Sequence, residues 1–195
     1  MHALIVVSHP LPTSLTHAVA AAVGEGISSA PGGHSHELAD LVAEKFDPVF
    51  GAHDISAFLR ETALPEDVAA EQARIDRADA LVLVYPVYWW SMPGQLKGWI
   101  DRVFSNGWAY DEGPDMKIEK KLRRLAVHLV ALGGADHRTY ARHGYFGAMK
   151  MQIDHGIFDY CGATVKTSEL MVPTDAAHAE EHLETARKIG SRMLS

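Results

Sequence analysis

The chain has 195 residues, of which 47% are hydrophobic and 22% are charged. This balance is typical of one globular domain and excludes a disordered or low-complexity protein. The formal net charge of −7 repels a nucleic-acid backbone, so we expect no nucleic-acid partner. The single cysteine, Cys161, excludes an intrachain disulfide. No apolar run approaches the roughly 20 residues of a membrane helix, so we expect no membrane insertion and a cytoplasmic location.

Short apolar runs alternate with helical patterns along the chain. The predicted strands cover residues 3–8, 34–38, 80–85, 125–132 and 163–170. The predicted helices cover 14–27, a segment from Pro65, a segment from Pro93, 145–161 and the end of the chain, whereas 40–64 is expected to be irregular. This order predicts a single α/β domain over 1–195, with a doubly wound five-stranded parallel sheet and helices on both faces. Ligands of such folds bind at the carboxyl ends of the strands.

The turn after the first strand is rich in hydroxyl groups and leads directly into a helix. Its candidate binding residues are His9, Thr13, Ser14, Leu15 and Thr16. Free N–H groups at a helix N-terminus, together with hydroxyl donors, favour a phosphate or pyrophosphate. Ordinary helix capping by Ser and Thr explains the same residues equally well, and no glycine-rich phosphate fingerprint is present.

The segment after the third strand carries adjacent aromatic residues. It consists of Pro86, Val87, Tyr88, Trp89 and Trp90. Aromatic side chains in a loop at the edge of a sheet favour a flat, apolar ligand such as a planar ring system. The alternative is an aromatic cluster that belongs to the core.

The segment after the fourth strand begins with Gly133-Gly134 and continues to Tyr140, His143 and Tyr145. Two glycines allow a backbone to approach a ligand closely and to present N–H groups to it. Alone, the pattern also fits an ordinary loop. No metal site is expected anywhere in the chain, because no histidine pair has a clear third ligand.

Taken together, these segments resemble the NAD(P)H:quinone oxidoreductase family, the DT-diaphorase-like branch of the flavodoxin-like fold. The resemblance covers nearly the whole chain and is most specific over residues 78–110. That stretch contains Trp89-Trp90-Ser91-Met92-Pro93 and Gly107-Trp108-Ala109-Tyr110. In length the chain is most similar to the short bacterial members.

The resemblance implies a flavoprotein that transfers two electrons by a ping-pong mechanism. Hydride would pass from NAD(P)H to flavin N5, and then to a quinone or a related acceptor in the same slot. The implied cofactor is FAD, with FMN as the alternative, and the implied assembly is a homodimer with the active site at the interface.

The resemblance also assigns roles to residues. The flavin phosphate and ribityl chain would contact His9, Thr13, Ser14, Leu15 and Thr16, and the isoalloxazine would contact residues 86–90. Gly133 and Gly134 would donate N–H groups to the polar edge of the ring, where Tyr140 would stabilise negative charge. The substrate slot would be lined by Trp90, Tyr145 and Tyr110, the last facing the partner subunit's flavin.

One position departs from the family pattern. The histidine that the family places six residues after the tyrosine corresponds here to Phe146, and His143 is the candidate substitute. Two other functions stay open at this stage. One is a flavin-containing regulatory subunit of a potassium-efflux transporter, and the other is a one-electron carrier.

Overall fold

The central feature of the computed structural model, which describes residues 1–113, 117–174 and 178–193, is a parallel sheet. The strands, in chain order, are β1 (His2–Val7), β2 (Ser35–Asp40), β3 (Ala80–Pro86), β4 (Tyr110–Glu112), β5 (Ile118–Lys120), β6 (Ala126–Leu132) and β7 (Thr164–Met171). Five of them pair in the order β2-β1-β3-β6-β7, all parallel. This confirms the predicted five-stranded parallel sheet.

Helices cover both faces of this sheet. They are α1 (Leu15–Ser29), α2 (Ala52–Phe58), α3 (Glu66–Arg77), α4 (Gly94–Val103), α5 (His137–His143), α6 (Tyr145–Lys150) and α7 (His178–Arg192), with a π-helical stretch at Met151–Asp159. One core lies under α1 and α7, and the other lies under α3, α4, α6 and the π-helical stretch. None of the helices in the described ranges is long and apolar enough to cross a bilayer.

The apolar run of β1 follows from its burial on both faces. Leu4 and Val6 belong to the core on the α4 side, whereas Ala3, Ile5 and Val7 belong to the core on the α1 side. Because successive side chains of a strand point to opposite faces, a strand covered on both faces must be apolar throughout.

The helix predicted over 145–161 is confirmed in extent, since α6 continues into the π-helical stretch, but the π-helical geometry was not predicted. Two local predictions are wrong. Residues 40–64, expected to be irregular, contain α2, and the loop after β6 contains α5. The short ribbon of β4 and β5 was not predicted either. These elements are short, and short elements depend mainly on tertiary contacts.

Candidate functional site

The loops that follow β1, β3 and β6 lie at one edge of the sheet. These three strands are neighbours and parallel, so their carboxyl ends are adjacent. A cavity of about 190 Å³ opens there. Its walls come from the loops after β3 and β6 and from α5, and consist of Val87, Trp89, Trp90, Gly134, Ala135 and Tyr140. The structure therefore brings two of the three predicted segments into one cavity.

The aromatic segment after β3 is a two-residue hairpin turn. Tyr88 and Ser91 exchange two backbone hydrogen bonds, each of 3.0 Å. The two residues between them, Trp89 and Trp90, have φ angles of 50° and 60°. Bulky residues rarely adopt this left-handed conformation, and such strain is concentrated at functional sites. The turn leaves the Trp89 side chain 93% exposed.

Trp90 is held by a series of aromatic contacts. Its ring stacks on Tyr145 with centroids 3.7 Å apart and meets Tyr140 edge-on at 5.3 Å. Tyr145 in turn stacks on His143 at 5.1 Å. Four residues that the sequence predicted for the active site therefore form one aromatic cluster, which consists of Trp90, Tyr140, His143 and Tyr145.

Phe146 lies outside that cluster. It lines a separate cavity of about 510 Å³ beside β7, together with Ser168 and Glu169. Tyr140 lines this cavity as well as the one beside Trp90. In this chain His143 thus belongs to the aromatic cluster through its contact with Tyr145, whereas Phe146 lines the cavity beside β7.

The two glycines after β6 have different environments. The Gly133 N–H donates to the Met171 carbonyl at 2.8 Å, so it is not available to a ligand. This corrects the expectation that both glycines present free N–H groups. A Cβ atom at Gly133 would lie 2.5 Å from the Tyr140 hydroxyl oxygen, whereas one at Gly134 would meet nothing within 4 Å. Gly133 therefore makes room for Tyr140, and Gly134 faces the open cavity.

The Tyr140 hydroxyl is protonated at neutral pH. The residue is only 2% exposed, and burial raises the pKa of this phenol above its usual value of 10. A protonated phenol can donate a hydrogen bond to negative charge at the edge of a bound ring.

The turn after β1 ends in a capped helix N-terminus. The Ser14 Oγ atom accepts a hydrogen bond from the His17 N–H at 3.3 Å. Leu15 and Thr16 are the first two residues of α1, so their N–H groups have no acceptor within the helix. Thr16 is buried, so it offers a ligand mainly its backbone, whereas Leu15 is half-buried and packs against the core. This arrangement suits an anion.

His9 and Thr13 lie in the same turn. His9 Nδ1 accepts a hydrogen bond from the Leu11 N–H at 3.0 Å, which orders the turn, and Thr13 is exposed. Sequence reasoning missed two further residues here, His17 and Asp40. His17 Nδ1 lies 2.9 Å from Ser14 Oγ, and its Nε2 lies 2.9 Å from Asp40 Oδ2. Asp40 is distant in the sequence, so no local pattern indicates this contact.

Tyr110 does not join the aromatic cluster of its own chain. It lines a cavity of about 270 Å³ with Phe50, Phe58 and Arg102, and its ring meets Tyr160 at 5.3 Å. Within the described parts of the chain, no group of three or more His, Cys, Asp or Glu residues is placed to hold a metal ion.

Comparisons with known proteins agree with this geometry. The family model described as flavodoxin-like fold (Flavodoxin_2) matches residues 1–191. NAD(P)H dehydrogenase [quinone] 1 of Cavia porcellus is 30% identical over 193 residues, which cover 86% of this chain and 67% of that protein.

Two solved structures are also similar. The NAD(P)H:quinone oxidoreductase from Methanothermobacter marburgensis has a TM-score of 0.89 and 29% identity, and the match covers 99% of this chain and 98% of that one. A protein from Klebsiella pneumoniae described as a putative quinone reductase has a TM-score of 0.84 and 25% identity, over 97% of this chain and 83% of that one. The chain therefore belongs to the flavodoxin-like fold family, and NAD(P)H dehydrogenase [quinone] 1 is among its relatives.

Proposed function

We propose that this protein is a flavin-dependent NAD(P)H:quinone oxidoreductase. The observation that carries the proposal is the aromatic cavity beside Trp90, which lies on the same sheet edge as the capped N-terminus of α1. A flavin combines a planar ring with a phosphate, and these two features suit the two ends of such a site. The relatives named as quinone oxidoreductases support the same activity.

The residues of this chain fit a flavin. Val87, Trp89 and Trp90 would line the ring system, and the Gly134 N–H and the Tyr140 hydroxyl would face its polar edge. Ser14 and the first N–H groups of α1 would hold the phosphate. When bound, the flavin supplies the two-electron chemistry, and the protein supplies orientation and electrostatics.

Tyr140 and His143 are the residues we assign to charge and proton handling. Tyr140 would donate a hydrogen bond to the negative charge that develops at the polar edge of the ring. Phe146 stands where the family pattern has a histidine, and its side chain cannot bind a proton. His143, exposed at the end of the aromatic cluster, would bind that proton instead. Trp90 and Tyr145 would line the slot that NAD(P)H and the quinone occupy in turn.

We propose FAD as the cofactor, with FMN as the alternative. The turn that contains Thr13 is exposed next to the phosphate cradle, which leaves space for the adenosine half of a dinucleotide. We also propose the cytoplasm as the compartment, in keeping with the buried free thiol of Cys161. None of the relatives named above carries a transporter name, so the transporter-subunit alternative gains no support.

We further propose a homodimer in which Tyr110 faces the partner subunit's flavin. Large apolar side chains are exposed in the segment that shares a cavity with Tyr110. They are Val49, Phe50, Ile55 and Leu59. Several large apolar side chains exposed within one short segment favour an interaction surface there.

The first experiment is the visible absorption spectrum of the purified protein, before and after anaerobic addition of NADPH. We expect flavin bands that bleach directly to the two-electron reduced form and return when a quinone is added. Release of the cofactor followed by mass spectrometry distinguishes FAD from FMN. The double variant Trp89→Ala/Trp90→Ala should lose flavin, whereas the matched control Trp108→Phe, at a residue that does not line the cavity, should retain it.

Two results would contradict the proposal. A colourless protein that takes up neither FAD nor FMN would exclude the flavin site. A bound flavin that neither NADPH nor NADH reduces, and that accumulates a one-electron reduced form on titration, would favour the carrier alternative.

A further inference from the structure

A chain of three polar side chains runs from the N-terminus of α1 to the end of β2. Ser14 Oγ lies 2.9 Å from His17 Nδ1, and His17 Nε2 lies 2.9 Å from Asp40 Oδ2. The ring is confined, because the His17 side chain is only 14% exposed and that of Asp40 only 22%. This chain ends at the hydroxyl group that would contact the flavin phosphate.

The state of Asp40 fixes which ring nitrogen carries a proton. Partial burial opposes ionisation of Asp40, but hydrogen bonds from the Ala43 and Val42 N–H groups and from His17 outweigh it and lower the pKa of this carboxyl group below 3.8. An ionised carboxylate only accepts hydrogen bonds. The hydrogen bond of 2.9 Å therefore requires a proton on His17 Nε2.

The proton on Nε2 determines what Ser14 can do. In a neutral ring Nδ1 is then a bare acceptor, so the contact at 2.9 Å is made by the Ser14 O–H donating to Nδ1. The Ser14 oxygen also accepts the His17 N–H as the helix cap. The only hydroxyl proton of Ser14 is thus turned away from the anion site as long as His17 is neutral.

We propose that His17 is a positioning residue that couples flavin binding to the uptake of one proton. A proton from solvent binds to His17 Nδ1, which then donates to Ser14 Oγ, and the Ser14 O–H is released to donate to the phosphate. Asp40 stabilises the imidazolium by charge pairing. This inference rests on the proposed flavin site and adds a proton-linked step to it.

Few other ionisable groups act on this ring. The ring of His9, from the turn after β1, meets it edge-on at 6.3 Å. From β2 the contact is Asp40 itself. On α7, the other helix packed on α1, Arg187 pairs with Glu25, two turns further along α1. The His17–Asp40 pair is therefore the main charged contact near Ser14 among the described residues.

The variant Asp40→Asn separates this role from a structural one. An asparagine keeps an oxygen that can accept the Val42 and Ala43 N–H groups and places an N–H₂ group against His17 Nε2. Nε2 must then accept, the proton moves to Nδ1, and Ser14 is free to donate even when the ring is neutral. We expect this variant to bind flavin with an affinity that no longer depends on the His17 proton.

The test measures the affinity of the apoprotein for FAD between about pH 5.5 and about pH 8.5, the range in which histidine titrates. For the wild type we expect binding to weaken roughly tenfold as the pH rises across this range, with proton uptake detected by calorimetry in buffers of different ionisation enthalpy. Asp40→Asn should give a flat profile, and Ser14→Ala should bind weakly and without pH dependence. Glu25→Gln, on the same helix, is the matched control and should behave as the wild type.

A second readout needs no flavin. Nitrogen-15 NMR of the apoprotein should show the Nε2–H tautomer of His17 in the wild type and the Nδ1–H tautomer in Asp40→Asn. An Nδ1–H tautomer in the wild type, or the same pH slope in wild type and Asp40→Asn with FAD still bound, would overturn the inference while leaving the proposed function intact. Failure of the wild type to bind any flavin would instead overturn the proposed function, and the role of His17 with it.

Discussion

At the scale of single residues, the sequence predicts the position of the Trp89-Trp90 turn but not its backbone conformation. The sequence predicts aromatic side chains at the end of a buried strand, and the structure places them at a cavity on that edge. The left-handed conformation of both residues was not predictable, because it is imposed by the hydrogen bonds between Tyr88 and Ser91. A two-residue hairpin of this kind normally contains Asn and Gly.

Replacement of Trp89 tests whether this turn is strained. A left-handed conformation costs about 1–2 kcal/mol for a residue with a Cβ atom. We expect the free energy of unfolding of Trp89→Gly to be about 1 kcal/mol higher than that of Trp89→Ala. Urea denaturation of the two apoproteins measures this difference. Trp89→Ala is the matched control, because it removes the same ring but keeps Cβ. Equal stabilities of the two variants would show that the turn is not strained.

At the scale of elements, α1 and α7 pack unusually closely. The apolar pattern of the C-terminal helix predicts burial of Leu183, Ile189 and Met193, but these side chains are only half-buried where they pack against the core. The tightest contact, however, is made by glycines. A Cβ atom at Gly190 would lie 2.1 Å from the Val23 carbonyl oxygen, and one at Gly26 would lie 2.2 Å from the Arg187 carbonyl oxygen.

The substitution Gly190→Ala should therefore separate the two helices. Neither backbone can move aside cheaply, so we expect a loss of about 1–3 kcal/mol in the free energy of unfolding. Gly147→Ala in α6 is the matched control, since its Cβ would meet nothing within 4 Å. The control should be neutral or slightly stabilising, because alanine favours helix over glycine. A Gly190→Ala variant as stable as the control would contradict the observed approach.

A second element, α2, depends on a buried arginine. Arg102 on α4 donates to Asp54 of α2 at 2.9 Å and to Asp67 of α3 at 2.5 Å. It also donates to the Asp47 carbonyl at 2.8 Å. The partners are far apart in sequence, so the pattern of residues 40–64 alone could not indicate a helix there.

At the scale of the whole molecule, the strand order brings the site together. The segments after β1, β3 and β6 are spread over nearly two thirds of the chain, yet these strands are adjacent in the sheet. In parallel α/β sheets the carboxyl ends of adjacent strands form the ligand crevice. The proposed dimer would complete the site, because Tyr110 lies outside the aromatic cluster of its own subunit and would face the partner subunit's flavin.

The double variant Ile55→Asp/Leu59→Asp tests the dimer. Charges on the exposed apolar patch should disfavour its burial against a second subunit. We expect the wild type to sediment as a dimer and the variant as a monomer that retains its fold but has lost most of its quinone reduction. Leu38→Asp, an exposed apolar position on the edge strand β2, is the matched control and should remain dimeric. A monomeric wild type with full activity would contradict the proposed interface.

The sequence by itself determined the architecture and most of the candidate site. Apolar runs that alternate with helical periodicity specify a parallel sheet covered on both faces, because apolar residues occupy the positions that are buried. Strand ends then identify the segments that contain Ser14, Trp90 and Tyr140. The tertiary structure alone decided the rest. It brings His17 to Asp40 and uses the Gly133 N–H in a backbone hydrogen bond. It also places His143 beside Tyr145 and gives Trp89 its left-handed conformation. The first two features depend on partners that are distant in sequence. The last two are contacts within short loops, and they depend on a backbone geometry that no pattern of side chains indicates.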